Sequence, residues 1–342
     1  MSRTESSPRA VYVQTNEAGA NRLVAFARAA DGSLSSLGSF PTGGAGDGVA
    51  HLTSQGSVVI TGDGEHVLVT NAGSGDMSLF AASQAGLTLV DTVPTGAAPK
   101  SVAEHDGLVY VLNTGAPSLA GFRIAGGRIE ALPGSGRELA QADPAQVGFS
   151  PDGSTLVVTQ RGADSIAAYP VDSAGLLGEA REIASAGPTP YGFAFTSTGT
   201  MVVTEAFGAA RGKAAASSYT LGGDGISSVS RSVGNGRSEI CWAIVSKDDR
   251  YAFTTNFADG AVSRYAIGAD GSITLEDATA GLAVDGQTGL RDEDISADGR
   301  YLYAVDADSQ RVFGWSVGDG GSLEPIGSWD GLPATVAGLA AS

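Results

Sequence analysis

Cysteine is nearly missing from this chain. Cys241 stands alone among 342 residues, so no internal disulfide can form and a disulfide-stapled scaffold is excluded. Basic residues are scarce as well. Lys and Arg number 20 against 37 Asp and Glu, a net charge of −17, which argues against nucleic acid and anionic membrane partners, because both need clustered Lys and Arg. Long apolar runs are absent: no window reaches the roughly 18–20 residues that span a bilayer. The opening MSRTESSPRAVYVQ has no apolar stretch of the signal-peptide kind, so the expectation is a cytoplasmic, acidic protein. Also missing are a Gly-x-Ser-x-Gly elbow, a phosphate-binding P-loop, a dinucleotide fingerprint and His-Glu-x-x-His. Their absence removes the commoner hydrolase, nucleotide-binding and zinc-protease readings.

What is present is glycine, 50 residues of it, with 42% hydrophobic residues and only 17% charged ones. That composition suits many short strands and tight turns around a sizeable core. The turns fall in a repeat of strand, Asp/Gly turn, strand, polar loop, strand, Gly turn, strand. Its clearest copies are VVITGDGEHVLVTNAGSGDMSLFAA, VGFSPDGSTLVVTQRGADSIAAYPV, AIVSKDDRYAFTTNFADGAVSRYAI and DISADGRYLYAVDADSQRVFGWSV. The second strands end at Asn71, Asn113, Gln160, Glu205, Asn256 and Asp306, in steps of 42, 47, 45, 51 and 50. AVYVQTN, ending at Asn16, is a further second strand without a first, and LPATVAGLAA near the C-terminus is a first strand without a second. The pattern predicts one all-β domain over 1–342, a seven-bladed β-propeller closed by strands from both termini, with 1–9 as a flexible lead.

In such a ring the tight Asp-Gly turns lie at one rim. The loops after the second strands and the starts of the innermost strands lie at the other, so a site is expected at that second, loop-bearing rim. Its candidates include Glu205, which precedes the long loop AFGAARGKAAASS, and Asn71, Gln146 and Asn256 as polar positioning groups. His51, in a rim loop, is a candidate acid/base, and Tyr191 and Trp242 are aromatic candidates at the mouth. The most unusual stretch is Arg291-Asp292-Glu293-Asp294. Aligned on the turn, Glu293 takes the slot of Val58, Val147, Phe193 and Ala243, and Asp294 that of Val59, Gly148, Ala194 and Ile244. Three carboxylates in normally buried slots demand partners. The residues leave open a buried ion network with Arg291, Arg250 or Arg264, a catalytic or ligand-binding cluster, and a metal site.

The chain resembles the lactonase family of seven-bladed propellers, which includes the propeller-type 6-phosphogluconolactonases and the fungal 3-carboxymuconate lactonising enzymes. The likeness rests on the SPDG…LVVT repeats and on NEAGANRLVAFARAADGSLSSLGSFPTGG, YAIGADGSITL and WSVGDGGSLEPIGS, and covers nearly the whole chain. It implies a hydrolase or isomerase acting on a small lactone or carboxylated ring. In the family, blade five commonly opens with Pro-Arg-His and ends its second strand in Asn-Glu-Leu. Glu205 matches that glutamate, but the opening reads Pro190-Tyr191-Gly192. Blade four commonly opens with His-x-His-Gln, of which only Gln146 is kept, whereas the Arg-Asp pair of blade seven is matched by Arg291-Asp292.

The resemblance thus implies Glu205 as base and Arg291 as oxyanion or carboxylate partner, with His51 standing in for the lost histidines. Asp292 joins Gln146, Asn71, Asn256, Tyr191 and Trp242 around a small-molecule substrate. No cofactor is required on this reading. A different group of propeller lactonases holds calcium with Glu, Asn and Asp, and for such a Ca²⁺ or other divalent site Glu205, Asn256, Glu293 and Asp294 are the hard-oxygen candidates. A non-catalytic propeller binding a protein or metabolite at the same rim is the alternative.

Overall fold

A computed structural model describes residues 8–49, 52–140, 143–222 and 225–342. They form seven antiparallel sheets arranged as a ring. Blade one pairs Ala337–Ala341 with Ala10–Gln14, followed by Arg22–Arg28 and Leu34–Pro41. The C-terminal strand is therefore the innermost strand of the first blade, and the ring is latched by backbone bonds between the two ends of the chain, leaving no open first or last edge. Pro8 and Arg9 belong to this latch: the Ser342 hydroxyl donates to the Pro8 carbonyl at 2.5 Å, and the Arg28 N–H donates to the Arg9 carbonyl at 2.9 Å.

The innermost strands of blades two to seven are Val58–Ile60, Pro99–His105, Pro144–Phe149, Pro190–Phe195, Ile240–Val245 and Leu290–Ile295. Each second strand ends where the repeat places it, at Asn71, Asn113, Gln160, Glu205, Asn256 and Asp306. Seven of the apolar clusters among the described residues lie one at each junction between neighbouring blades. Tyr12, Val67 and Phe80 join blades one and two, for example, and Val13, Tyr303 and Leu339 join blades seven and one. Alternating side chains on both faces of each sheet make this possible.

The tight turns share one device. In Thr61-Gly62-Asp63, Ser150-Pro151-Asp152, Ser246-Lys247-Asp248 and Ser296-Ala297-Asp298 the hydroxyl donates to the aspartate two residues on, each at 2.6 Å. That bond rigidifies the turn and explains why Asp recurs there.

The starts of the innermost strands share another. Ala98, Asp143, Thr189 and Glu239 all sit at positive φ (52°, 58°, 59° and 54°), and Gly289 at 128°. Directly after these kinks the pairing slips. In blades five, six and seven it skips two residues: Tyr191-Gly192, Cys241-Trp242 and Arg291-Asp292. Strained backbone followed by a bulge re-aims side chains and frees backbone groups from the ladder.

Candidate functional site

The three consecutive bulges build the site. Their side chains meet at the loop-rim end of the central channel, where Tyr191, Cys241, Trp242 and Ala145 pack together with Phe257. Tyr191 and Trp242 contact edge to face at 5.7 Å between centroids. The Arg161 guanidinium lies 4.8 Å from the Tyr191 ring and that of Arg291 4.3 Å from the Phe257 ring.

Hydroxyls on the neighbouring second strands tie two of these bulges down. Thr159 donates to the Tyr191 carbonyl at 2.6 Å and Thr204 to the Cys241 carbonyl at 2.7 Å. The equivalent hydroxyl for the third bulge, Thr255, has no hydrogen-bond partner. The Arg291-Asp292 bulge is the untied one.

Arg291 is 6% exposed, and its Nε and Nη1 have no hydrogen-bond partner. Burial lowers its pKa, opposed by Tyr191, Cys241, Asp308 and Asp292 nearby. Asp292 is 4% exposed with Oδ1 unpartnered. Burial holds its pKa well above the ordinary carboxylate range, against the pull of Arg291, the Trp242 indole N–H and the Gly338 amide. The Tyr191 hydroxyl is buried without a partner, and burial raises it too. Cys241 is buried, and its thiol is pushed up to about 12 by the same cause, which removes it as a nucleophile at neutral pH.

Other expected site residues are fully engaged elsewhere. Glu205 is 0% exposed, and its carboxylate accepts from the Gly187 N–H (2.8 Å), the Ser217 hydroxyl (2.6 Å) and the Ser232 hydroxyl (2.7 Å). It pins its own blade and has no bond to Arg291. Asn71 bonds to Asn21, Thr42, Asp76 and Ser78. Asn256 does the same job with Asn235, Ala261 and Ser263. Gln146 reaches the next blade, giving one bond to the Phe193 carbonyl at 3.0 Å and taking one from its N–H at 2.6 Å. Asn71, Glu205 and Asn256, at second-strand ends, and Gln146 are thus fasteners of the blades. His51 lies outside the described residues.

The candidate residues meet at the expected loop-bearing end, but that end is covered. Segment 52–57 crosses the ring at that end. Its Gln55 amide donates to the Ala243 carbonyl at 2.8 Å and accepts from the Ala243 N–H at 3.0 Å, while Trp242 Nε1 donates to the Ser54 carbonyl at 3.0 Å. The open volume, a cavity of about 760 Å³, instead runs from Gln55, Gln146 and Asp292 to the tight-turn rim at Gly64, Pro151 and Asp298. Gln55 has no signal in the linear sequence, since its partner is 188 residues away. His105, which the sequence places beside a tight turn away from the expected rim, lines this cavity.

The acidic run divides in two directions. Asp294 accepts from the Ala341 N–H and from its own strand's Ile295 N–H, both at 2.8 Å, fastening blade seven to blade one. Glu293 is 5% exposed, and neither oxygen has a hydrogen-bond partner of ordinary geometry; the nearby Thr255 amide favours its ionised form. Burial first, then Asp294 and Asp292, raise its pKa well above the ordinary value. The expected rescue by Arg250 or Arg264 does not occur, because these pair with Asp248 at 3.9 Å and Glu276 at 3.2 Å. The acids do not gather as metal ligands either. Among the described residues the one trio of acids or histidines with ligand atoms within 4.8 Å is Asp63, Glu65 and His66, at a surface turn. Glu205, Glu293 and Asp294 form no such group.

With the ring and its bulged centre described, comparison with known proteins gives the class. The family described as lactonase, 7-bladed beta-propeller, matches residues 125–206 and 205–336, more than half of the chain, and the chain belongs to this family. None of the curated proteins matches it in sequence. Among solved structures it is similar to the periplasmic gluconolactonase PpgL of Pseudomonas aeruginosa, with TM-score 0.75 and 17% identity over 98% of this chain and 99% of that one. A candidate 6-phosphogluconolactonase of Bacteroides fragilis is similar too, with TM-score 0.70 and 19% identity over 99% of both chains. So is a functionally unknown protein of Desulfotomaculum acetoxidans, with TM-score 0.76 and 13% identity over 98% of this chain and 99% of that one. At these identities the structural likeness concerns the fold. Among the described residues no helix is long and apolar enough to cross a membrane.

Proposed function

We propose that this propeller hydrolyses a small lactone, with the bulged Arg291-Asp292 pair as its chemical centre. The observation that carries the proposal is Arg291: a buried guanidinium whose Nε and Nη1 point at no acceptor of the protein. Leaving such donors unpaired costs free energy, which a site recovers by binding an anionic or carbonyl oxygen. In the proposed reaction a water oxygen attacks the lactone carbonyl carbon while ionised Asp292 takes its proton. Arg291 donates to the oxyanion of the tetrahedral intermediate. Collapse breaks the ring C–O bond, and the proton on Asp292 passes to the departing ring oxygen, giving a hydroxy acid. The raised pKa of Asp292 suits both directions of that transfer. Family membership supports this reaction class. The names of the similar structures make six-membered aldonolactones, with and without a phosphate, the first substrates to try.

The test is hydrolysis of such lactones above the spontaneous rate by the wild type, Arg291→Met and Asp292→Asn. Loss in both variants with unchanged folding is the expected result. Equal turnover by the variants would remove this site from the chemistry. A second reading, a propeller that binds a metabolite without turning it over, is favoured by the full engagement of Glu205 and Gln146 within the scaffold. It predicts no turnover by the wild type on any member of the panel.

A further inference from the structure

Lactone chemistry at Arg291 leaves Glu293 without a role. Its slot holds Val58, Val147, Phe193 or Ala243 in other blades, where the side chain joins an apolar wall. An acid there that gains no partner destabilises the fold by several kcal/mol, so its presence calls for a ligand or for relief of another kind. Glu293 lines the 760 Å³ cavity that reaches the tight-turn rim, and it is nine-tenths buried with both oxygens unpartnered. On the face of the neighbouring second strand that meets blade seven, the Thr255 hydroxyl is also buried without a partner.

The remaining wall is of two kinds. Val59, Ile60, Val102, Val147, Ile244 and Ile295 give it an aliphatic surface. Its acids include Glu104, Asp292 and Asp294, whereas the cation Arg28 is already held by Asp298 and the Ser342 carbonyl. Lys247, which favours ionisation of Asp294, and Arg9 are the other cations of the wall. A cavity of this size is that of a small-molecule site.

We propose that the channel cavity binds a small aliphatic ammonium ion, its head on Glu293 and its chain along the aliphatic wall. An ammonium brings three N–H donors and no acceptor, the complement of an unpartnered carboxylate beside the Thr255 hydroxyl. A chelated metal fits less well, because the acidic oxygens are not gathered around one point. Burial, Asp294 and Asp292 disfavour the ionised form of Glu293, which a bound ammonium favours, so binding releases a proton that the carboxyl holds. Lys247 and Arg291 are the nearby cations that share the field of these acids. The proposal is independent of the lactone reading, since its readout is binding.

The full chain is titrated with 1,4-diaminobutane by calorimetry in two buffers of different ionisation enthalpy, and its melting followed in parallel. Saturable binding with release of about one proton and a raised Tm is expected. Glu293→Gln and Glu293→Val should each weaken binding roughly tenfold or more, and uncharged 1,4-butanediol should have no effect. Four results overturn the proposal: no binding by the wild type, equal binding by Glu293→Val, a Tm rise matched by NaCl at equal ionic strength, or stabilisation by CaCl₂ without stabilisation by the diamine.

Discussion

Two sets of buried polar residues occupy this propeller, and they differ in one respect. Asn71, Glu205 and Asn256, at the ends of second strands, are fully buried, and each makes at least three hydrogen bonds within the fold. Arg291, Asp292 and Glu293, on the innermost strand of blade seven, are nearly as buried and keep unpartnered atoms. Between these two sets burial does not separate scaffold from candidate site; satisfaction does. A satisfied buried group stabilises one geometry, whereas an unsatisfied one weakens the fold and marks a place where something else must supply the partner.

The contrast can be broken by substitution. The largest effect is expected at Glu205. Glu205→Ala strands the Gly187 N–H and two serine hydroxyls, and should lower stability by about 3 kcal/mol or more, read as a shift in the urea midpoint. If stability is unchanged, the division into satisfied scaffold and unsatisfied site fails. Arg291→Met should do the reverse: stability held or raised, with lactone turnover lowered about 10²-fold or more. A strongly destabilised Arg291→Met would place Arg291 among the fasteners.

Glu293→Val comes next, expected to stabilise by roughly 1–3 kcal/mol at neutral pH. The sign of its pH dependence follows from the raised pKa. Between the unfolded carboxylate value of about 4 and the higher folded value, native Glu293 holds a proton that the unfolded chain has released. Wild-type stability is therefore lost as pH rises through that window. The advantage of Glu293→Val should grow with pH from about 4 upward, and an advantage that shrinks would mean Glu293 is ionised and paired. The smallest effect is a null reaction: Cys241, its thiol pushed up to about 12, should resist alkylation in the native state and react once the chain is unfolded.

Much of the fold is legible in the sequence because each blade is a local pattern. The Asp-Gly turns and the alternation around Tyr301 and Tyr303 place the second-strand ends of blades two to seven to the residue. The blade-one strand ends at Gln14 rather than Asn16, and the orphan strands near Asn16 and Ala337 imply the latch. The candidate site is legible only in part. Arg291, Asp292, Tyr191 and Trp242 do come together, and the oddity of Arg-Asp-Glu-Asp among apolar slots pointed there. Glu205 carried the family's glutamate, yet nothing in its own strand announces Ser217 and Ser232. Gln55 gave no signal at all, although it stands across the channel.

The sequence by itself therefore determined the ring: seven repeats, their turns, the closure from both ends, and the strand on which the unusual charges lie. These follow from neighbours close in the chain, through periodicity and turn chemistry. The tertiary structure decided which polar residues are fasteners, which bulge is untied by Thr255, and which rim the cavity reaches. Those outcomes depend on partners brought from other blades, such as Ala243 for Gln55 and Phe193 for Gln146. Whether a buried group is satisfied is a property of the space around it, which linear spacing does not encode.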